Sequence, residues 1–130
     1  MIVADSSTWV AFFAGDSGED VQMLRRGLQD SQVLMAPVVL TELFSDPNLP
    51  TYVAETLLGL PLVETLPGYW QRAGALRAKV FSKKRRARLG DALIAQSCID
   101  HGITLLTRDS DFRAFAEVAG LDFLIGFPSH

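Results

Sequence analysis

The sequence predicts an α/β fold in which a parallel β-sheet carries helices on both faces. Short β-prone runs alternate along the chain with stretches whose apolar residues recur at helical spacing. Parallel strands need long crossovers, which are normally helical and pack over the sheet. The chain's 130 residues, 48% hydrophobic and 21% charged, suit a single folded domain over 1–130 with one core.

Residues 2–4 form an apolar run that ends in Asp5, and Trp9, Val10, Phe12 and Phe13 then repeat at helical spacing over 6–14. A second helix is expected over 21–28 and a brief strand over 33–36. Pro37 sits where the first turn of a helix tolerates it, and that helix runs to about Ser45. Residues 52–58 read as helix, 62–65 as another short strand, and 69–81 as a helix of mixed apolar and basic residues. After a basic connection over 82–89, Gly90 precedes a helix over 91–101 that Gly102 stops. The β-branched and leucine run 103–107 is a strand, 111–119 a helix stopped by Gly120, and 122–125 a final strand. No repeat, low-complexity tract or linker interrupts this order.

One cysteine, Cys98, leaves no partner for an intrachain disulfide and no paired thiolates for zinc, which points to a reducing compartment. No apolar run approaches the roughly 18 residues that cross a bilayer, and no basic stretch precedes the opening strand, so the expected location is cytoplasmic. The net charge of −3 conceals a local asymmetry. Eight of the twelve basic residues fall between Arg72 and Arg88, and no acid lies between Glu64 and Asp91.

Ligands of open parallel sheets bind beyond the carboxyl ends of the strands, so polar residues just after an apolar run are the first functional candidates. Asp5 and Asp109 hold such places, although each also suits a helix cap or turn. Asp91 falls inside the apolar arc of its own helix, with Ala92, Ile94, Ala95, Cys98 and Ile99. A carboxylate there must cap its helix, meet a basic partner or bind a metal. Glu42 projects away from the apolar face of Val39, Leu40, Leu43 and Phe44, and read alone suits a solvated surface. Only the series Asp5, Glu42, Asp91, Asp109 gives it weight.

Carboxylates brought together repel one another unless a hard cation with oxygen ligands compensates them, so Mg²⁺ or Mn²⁺ is the expected ion. With only His101 and His130 and no thiolate pair, zinc lacks ligands. His101, in a helix's last turn, reads as a partner of the helix terminus. A cation held by carboxylates can orient water, lower its pKa and neutralise a phosphodiester's charge, so phosphodiester hydrolysis is the expected chemistry. Ser7 and Thr107 are placed to hydrogen-bond a carboxylate or a water of that site, and Ser7 equally suits a helix cap.

The ordered set Asp5-Ser6-Ser7, Thr41-Glu42-Leu43, residues 90–95 (GDALIA) and residues 105–112 (LLTRDSDF) resembles the PIN-domain family over nearly the whole chain. It looks most like the VapC toxins of toxin–antitoxin pairs. The resemblance implies a three-layer α/β/α sandwich with a central parallel sheet. It also implies a Mg²⁺- or Mn²⁺-dependent endoribonuclease, a homodimer and a neutralising antitoxin protein. By the same resemblance Asp5, Glu42 and Asp91 form the acidic core. The fourth acid is Asp109, nearer the strand end, with Asp111 as the other choice, so Asp5, Asp91, Asp109 and Asp111 are the candidate metal ligands.

Lys83, Lys84, Arg85, Arg86 and Arg88 lie just before Asp91, where they suit the backbone of an RNA substrate. The competing readings are a solvated loop that balances nearby acids and a surface for an acidic partner. Trp9, Tyr69 and Trp70 suit base stacking by type and core packing by spacing. Two rival functions remain. A phosphotransfer domain also places an aspartate after its first strand, but it resembles families with a late lysine, and none follows Lys84 here. A catalytically inactive PIN-like module that binds RNA or protein needs only the basic segment.

Overall fold

A computed structural model of the chain describes residues 1–126. Strand β1 (Ile2–Ala4) leads into α1 (Ser6–Phe13) and α2 (Glu19–Gln29). Next come β2 (Val33–Leu34), α3 (Pro37–Phe44), α4 (Thr51–Leu58), α5 (Tyr69–Ser82) and α6 (Leu89–His101). Strand β3 (Thr104–Thr107), a 3₁₀ turn (Ser110–Phe112), α7 (Arg113–Ala119) and β4 (Phe123–Ile125) follow. The C-terminal His130 lies outside the described residues.

The four strands form one sheet in the order β2-β1-β3-β4, every pair parallel. In register, Val3 lies beside Leu34 on one side and Leu105 on the other, and Leu106 lies beside Leu124. Val3, Ala4, Leu105 and Leu106 are completely buried, as central strands covered on both faces must be. Among the described residues, seven α-helices flank the sheet as an α/β sandwich. The core continues from the strands through Trp9, Leu24, Val39, Ile94 and Phe115. Each large side chain removed from water in this way contributes about 1.5–3 kcal/mol.

Three sequence expectations are corrected. Residues 62–65 do not form a strand. Leu62 makes a single parallel bridge to Met35, and the ladder stops because the next residue that would pair with Val63 is Pro37, which has no N–H to donate and already begins α3. Helix α6 begins at Leu89, two residues early, because a glycine in a first turn costs helix propensity without blocking the turn. Residues 111–119 are not one helix. The Asp109 side chain accepts from the Asp111 N–H and tightens residues 110–112 into a 3₁₀ turn before α7 starts. The glycine stops hold, since Gly102 and Gly120 end α6 and α7 with φ of 62° and 69°, the left-handed cap conformation. No helix among the described residues is long and apolar enough to cross a membrane.

Candidate active site: an acidic cleft at the switch point of the sheet

The chain leaves β1 toward β2 on one side and returns as β3 on the other, so strand order reverses between β1 and β3. Their carboxyl ends splay into a crevice, the place where open α/β sheets bind ligands. A cleft of about 430 Å³ opens there, lined by Asp5, Ser7, Glu42, Arg88, Asp91 and Asp109 among others. The four acids predicted from separate stretches of sequence thus share one cavity.

Asp5 caps α1 and serves the cleft with the same side chain. Its Oδ1 accepts from the Thr8 N–H at 3.2 Å and from Ser7 Oγ at 2.6 Å, while Oδ2 accepts from Thr107 Oγ1 at 2.7 Å. Ser7 therefore orients the carboxylate and is not the cap, and the cap and ligand readings of Asp5 do not exclude each other. Thr107 Oγ1 also accepts from the Asp109 N–H at 2.9 Å, which ties the ends of β1 and β3 together. Burial raises the Asp5 pKa, against the lowering effect of the three bonds, and the nearby Asp109 adds to the rise.

Asp91 is 9% exposed and stands in the first turn of α6, whose N-cap is Arg88. It is not the helix cap that its sequence position allowed. Its Oδ2 is buried and meets no hydrogen-bond donor among the described residues. Burial pushes its pKa up to about 6, Asp109 adds to this, Arg88 opposes it, and Asp5 and Glu42 contribute less. Glu42 stands at the exposed rim on α3. Partial desolvation of its carboxylate and the charge on Asp5 raise its pKa. The surface reading of Glu42 holds for its exposure and fails for its surroundings.

Asp91, Asp109 and Asp111 each offer a carboxylate oxygen within 4.8 Å of the other two. Asp5 lies outside this triple, with both oxygens already engaged. The donor set is all oxygen and the buried Asp91 Oδ2 is unpaired, so the cluster fits a hard divalent cation. Among the described residues, basic side chains face it only at long range, Arg88 Nη1 at 3.8 Å from Asp109 and Arg86 Nε at 3.9 Å from Asp111. These separations are ion-pair distances and too long for hydrogen bonds.

In the basic connection, Arg85 is paired with Glu117 at 2.9 Å. Lys83 and Lys84 are exposed and form no ion pair among the described residues. His101 turns away from its helix end, its Nε2 lying 2.7 Å from the Glu64 carbonyl oxygen. Trp9 and Tyr69 are buried core residues, whereas Trp70 is exposed.

Sequence reasoning passed over Asp20. This carboxylate is completely buried and salt-bridged to Arg108 at 2.9 Å, beside the cleft. An acid in the first turn of an amphipathic helix carries no sign of a partner 88 positions later.

A family model described as the PIN domain matches residues 2–118. The chain is 29% identical over 128 residues to a VapC ribonuclease of Mycobacterium bovis, an alignment covering 93% of this chain and 96% of that protein. The same identity and coverage relate it to ribonuclease VapC11 of Mycobacterium tuberculosis. Among solved structures it resembles VapBC2 of Rickettsia felis bound to a promoter DNA fragment, with a TM-score of 0.76 at 18% identity over 98% of this chain and 100% of that one. VapBC-5 of Mycobacterium tuberculosis, from a family of toxin–antitoxin systems, gives 0.69 at 20% identity over 95% and 97%. At such identities the structural likeness speaks for the fold.

Proposed function

The chain belongs to the PIN-domain family, and on that premise we propose that it is a metal-dependent endoribonuclease, the VapC-type toxin of a toxin–antitoxin pair. The observation that carries this reading is the convergence of Asp5, Glu42, Asp91 and Asp109 on one cleft, with Asp91 Oδ2 buried and unpaired. The two curated relatives are ribonucleases by name and align along nearly all of this chain, which supports RNA as the substrate.

In this reading Asp91, Asp109 and Asp111, with Asp5 across the cleft, hold Mg²⁺ or Mn²⁺. The ion supplies a Lewis acid that lowers the pKa of water and offsets charge on the phosphodiester. Asp5 is aimed by Ser7, Thr8 and Thr107, whose hydrogen bonds favour its ionised form against the opposing effect of burial. Glu42, at the rim and with a raised pKa, accepts a proton from the attacking water. Arg88 faces the cleft and places a guanidinium beside the phosphate, while Lys83, Lys84, Arg85 and Arg86 hold the flanking backbone of the RNA. The VapBC neighbours are assemblies of toxin with antitoxin, which supports a cognate antitoxin as partner. We extend the reading to a homodimer acting in the cytoplasm, each subunit a single nuclease domain.

The test is incubation of the purified chain with total RNA and Mg²⁺ or Mn²⁺, beside a chelator control and Asp91→Asn, resolved on a sequencing gel. Fragments that need the metal and Asp91 are the expected result. Intact RNA with folded wild-type protein would overturn the enzyme and favour a binding module, and Asp91→Asn that still binds RNA would show the two properties to be separable.

A further inference from the structure

The ion pair between Asp20 and Arg108 has no part in the chemistry above, yet it is the most enclosed charged contact beside the cleft. Asp20 is 0% exposed. Its Oδ2 accepts from Arg108 Nε at 2.9 Å and from Thr8 Oγ1 at 2.8 Å, and its Oδ1 accepts from Arg108 Nη2 at 3.1 Å. The same Nη2 donates to the Ser17 carbonyl. Gly126 closes over the pair. Its N–H donates to the Thr107 carbonyl at 2.7 Å, and a Cβ at this position would lie 2.0 Å from Asp20 Cγ.

A buried pair of this kind adds little stability over apolar groups of the same shape, but it fixes geometry, because its two-pronged fork tolerates little displacement. What it fixes is the turn after β3. The Arg108 N–H donates to Ser7 Oγ at 2.9 Å, and Arg108 sits between Thr107, bonded to Asp5, and Asp109. Residues 107–109 are thus pinned on one side by Asp5 and Ser7 and on the other by Asp20. Asp109 and Asp111 issue from this stretch, and they stand within 4.8 Å of Asp91 although like charges repel. Something other than mutual attraction must hold them there.

We propose that the Asp20–Arg108 ion pair is the positioning device of the acidic cleft, anchoring the strand-end turn that presents Asp109 and Asp111 to Asp91. The inference rests on the reading of the cleft as a cation site. Asp20 and Arg108 are positioning residues that touch neither the cation nor the RNA.

The experiment is Mn²⁺ titration of the metal-free protein, with free Mn²⁺ read by electron paramagnetic resonance. The variants are Asp20→Asn, Gly126→Ala, which displaces the Asp20 carboxylate without removing a charge, and Leu57→Ala, a destabilised core control in α4. We expect Mn²⁺ affinity to fall about tenfold in Asp20→Asn and in the same direction in Gly126→Ala, with Leu57→Ala within twofold of wild type. RNA binding measured with chelator present should stay within twofold, because the bonds of Asp20 go to Arg108 and Thr8 and a Cβ at Gly126 meets Asp20, none of them in the basic segment. Should Asp20→Asn fail to fold, Gly126→Ala decides. Wild-type affinity in the folded variants, or an equal loss in Leu57→Ala, overturns the proposal while the cation site stands. A wild-type protein that binds no Mn²⁺ removes the cation site and this inference with it.

Discussion

Thr107 Oγ1 donates to Asp5 Oδ2 at 2.7 Å, a bond that joins residues 102 positions apart at the ends of the two central strands. The same oxygen accepts from the Asp109 N–H, so one hydroxyl sets two of the acids that line the cleft. Thr107→Val keeps the shape and removes both contacts. We expect a loss of about 1–3 kcal/mol in denaturant unfolding, because a buried acceptor is left short of a donor. The Asp5 pKa, already raised by burial, loses one of the bonds that lower it and rises further. The acid limb of Mn²⁺ binding should therefore move to higher pH, and unchanged limbs would show that Thr107 does not tune Asp5.

Asp91 predicts an opposition between stability and metal binding. Its folded pKa is about 6, above the ordinary 3.8. Between these values the folded chain holds a proton that the unfolded chain has released. The contribution of this group to stability is therefore present below about pH 4 and is lost as the pH rises through 6. With chelator present, Asp91→Asn should flatten the fall in melting temperature between about pH 4 and 6 and melt above wild type at pH 7. With Mn²⁺ the order at pH 7 should reverse, since only the ionised carboxylate binds the ion. Identical pH profiles of melting temperature for the two proteins would disprove the assignment.

Asp5, Asp91 and Asp109 were legible in the sequence because each follows or interrupts an apolar element, whereas Glu42 gained weight only from its place in the ordered series. Asp5 and Asp109 follow strands that must be central, and Asp91 interrupts an apolar arc. What was not legible depends on contacts between distant stretches. Nothing local to Asp20 announces Arg108, and nothing in residues 62–65 reveals that their pairing ends after one bridge, where the partner chain turns into α3 at Pro37. Helix starts were missed by one or two residues where a glycine or an acid in the first turn satisfied more than one local rule, as at Gly90 and Asp111.

The basic segment predicts a salt signature. Lys83 and Lys84 are exposed and form no ion pair among the described residues, whereas Arg85 is occupied by Glu117. If both lysines neutralise RNA phosphates, Lys83→Gln with Lys84→Gln should lower RNA affinity uniformly across sequences. The slope of log affinity against log salt should become shallower by about 1.4, two contacts at roughly 0.7 each for a single strand. Fluorescence anisotropy with chelator present, from 50 to 300 mM salt, gives the slope. An unchanged slope would leave the segment as a solvated loop.

Lys84 separates function from folding most sharply. It stands just beyond α5 with φ of 56°, its N–H donating to the Phe81 carbonyl at 2.8 Å while the Arg85 N–H donates to the Val80 carbonyl at 3.2 Å. This is the paired closure that normally places a glycine at the left-handed position, and a side chain there costs about 1 kcal/mol. Lys84→Gly should therefore stabilise the protein by about that amount in denaturant unfolding, while weakening RNA binding through the lost charge. Lys84→Ala removes the same charge and keeps the backbone cost, so it should match Lys84→Gly in RNA affinity and wild type in stability. If Lys84→Gly gains stability without losing affinity, the lysine is not held there for RNA.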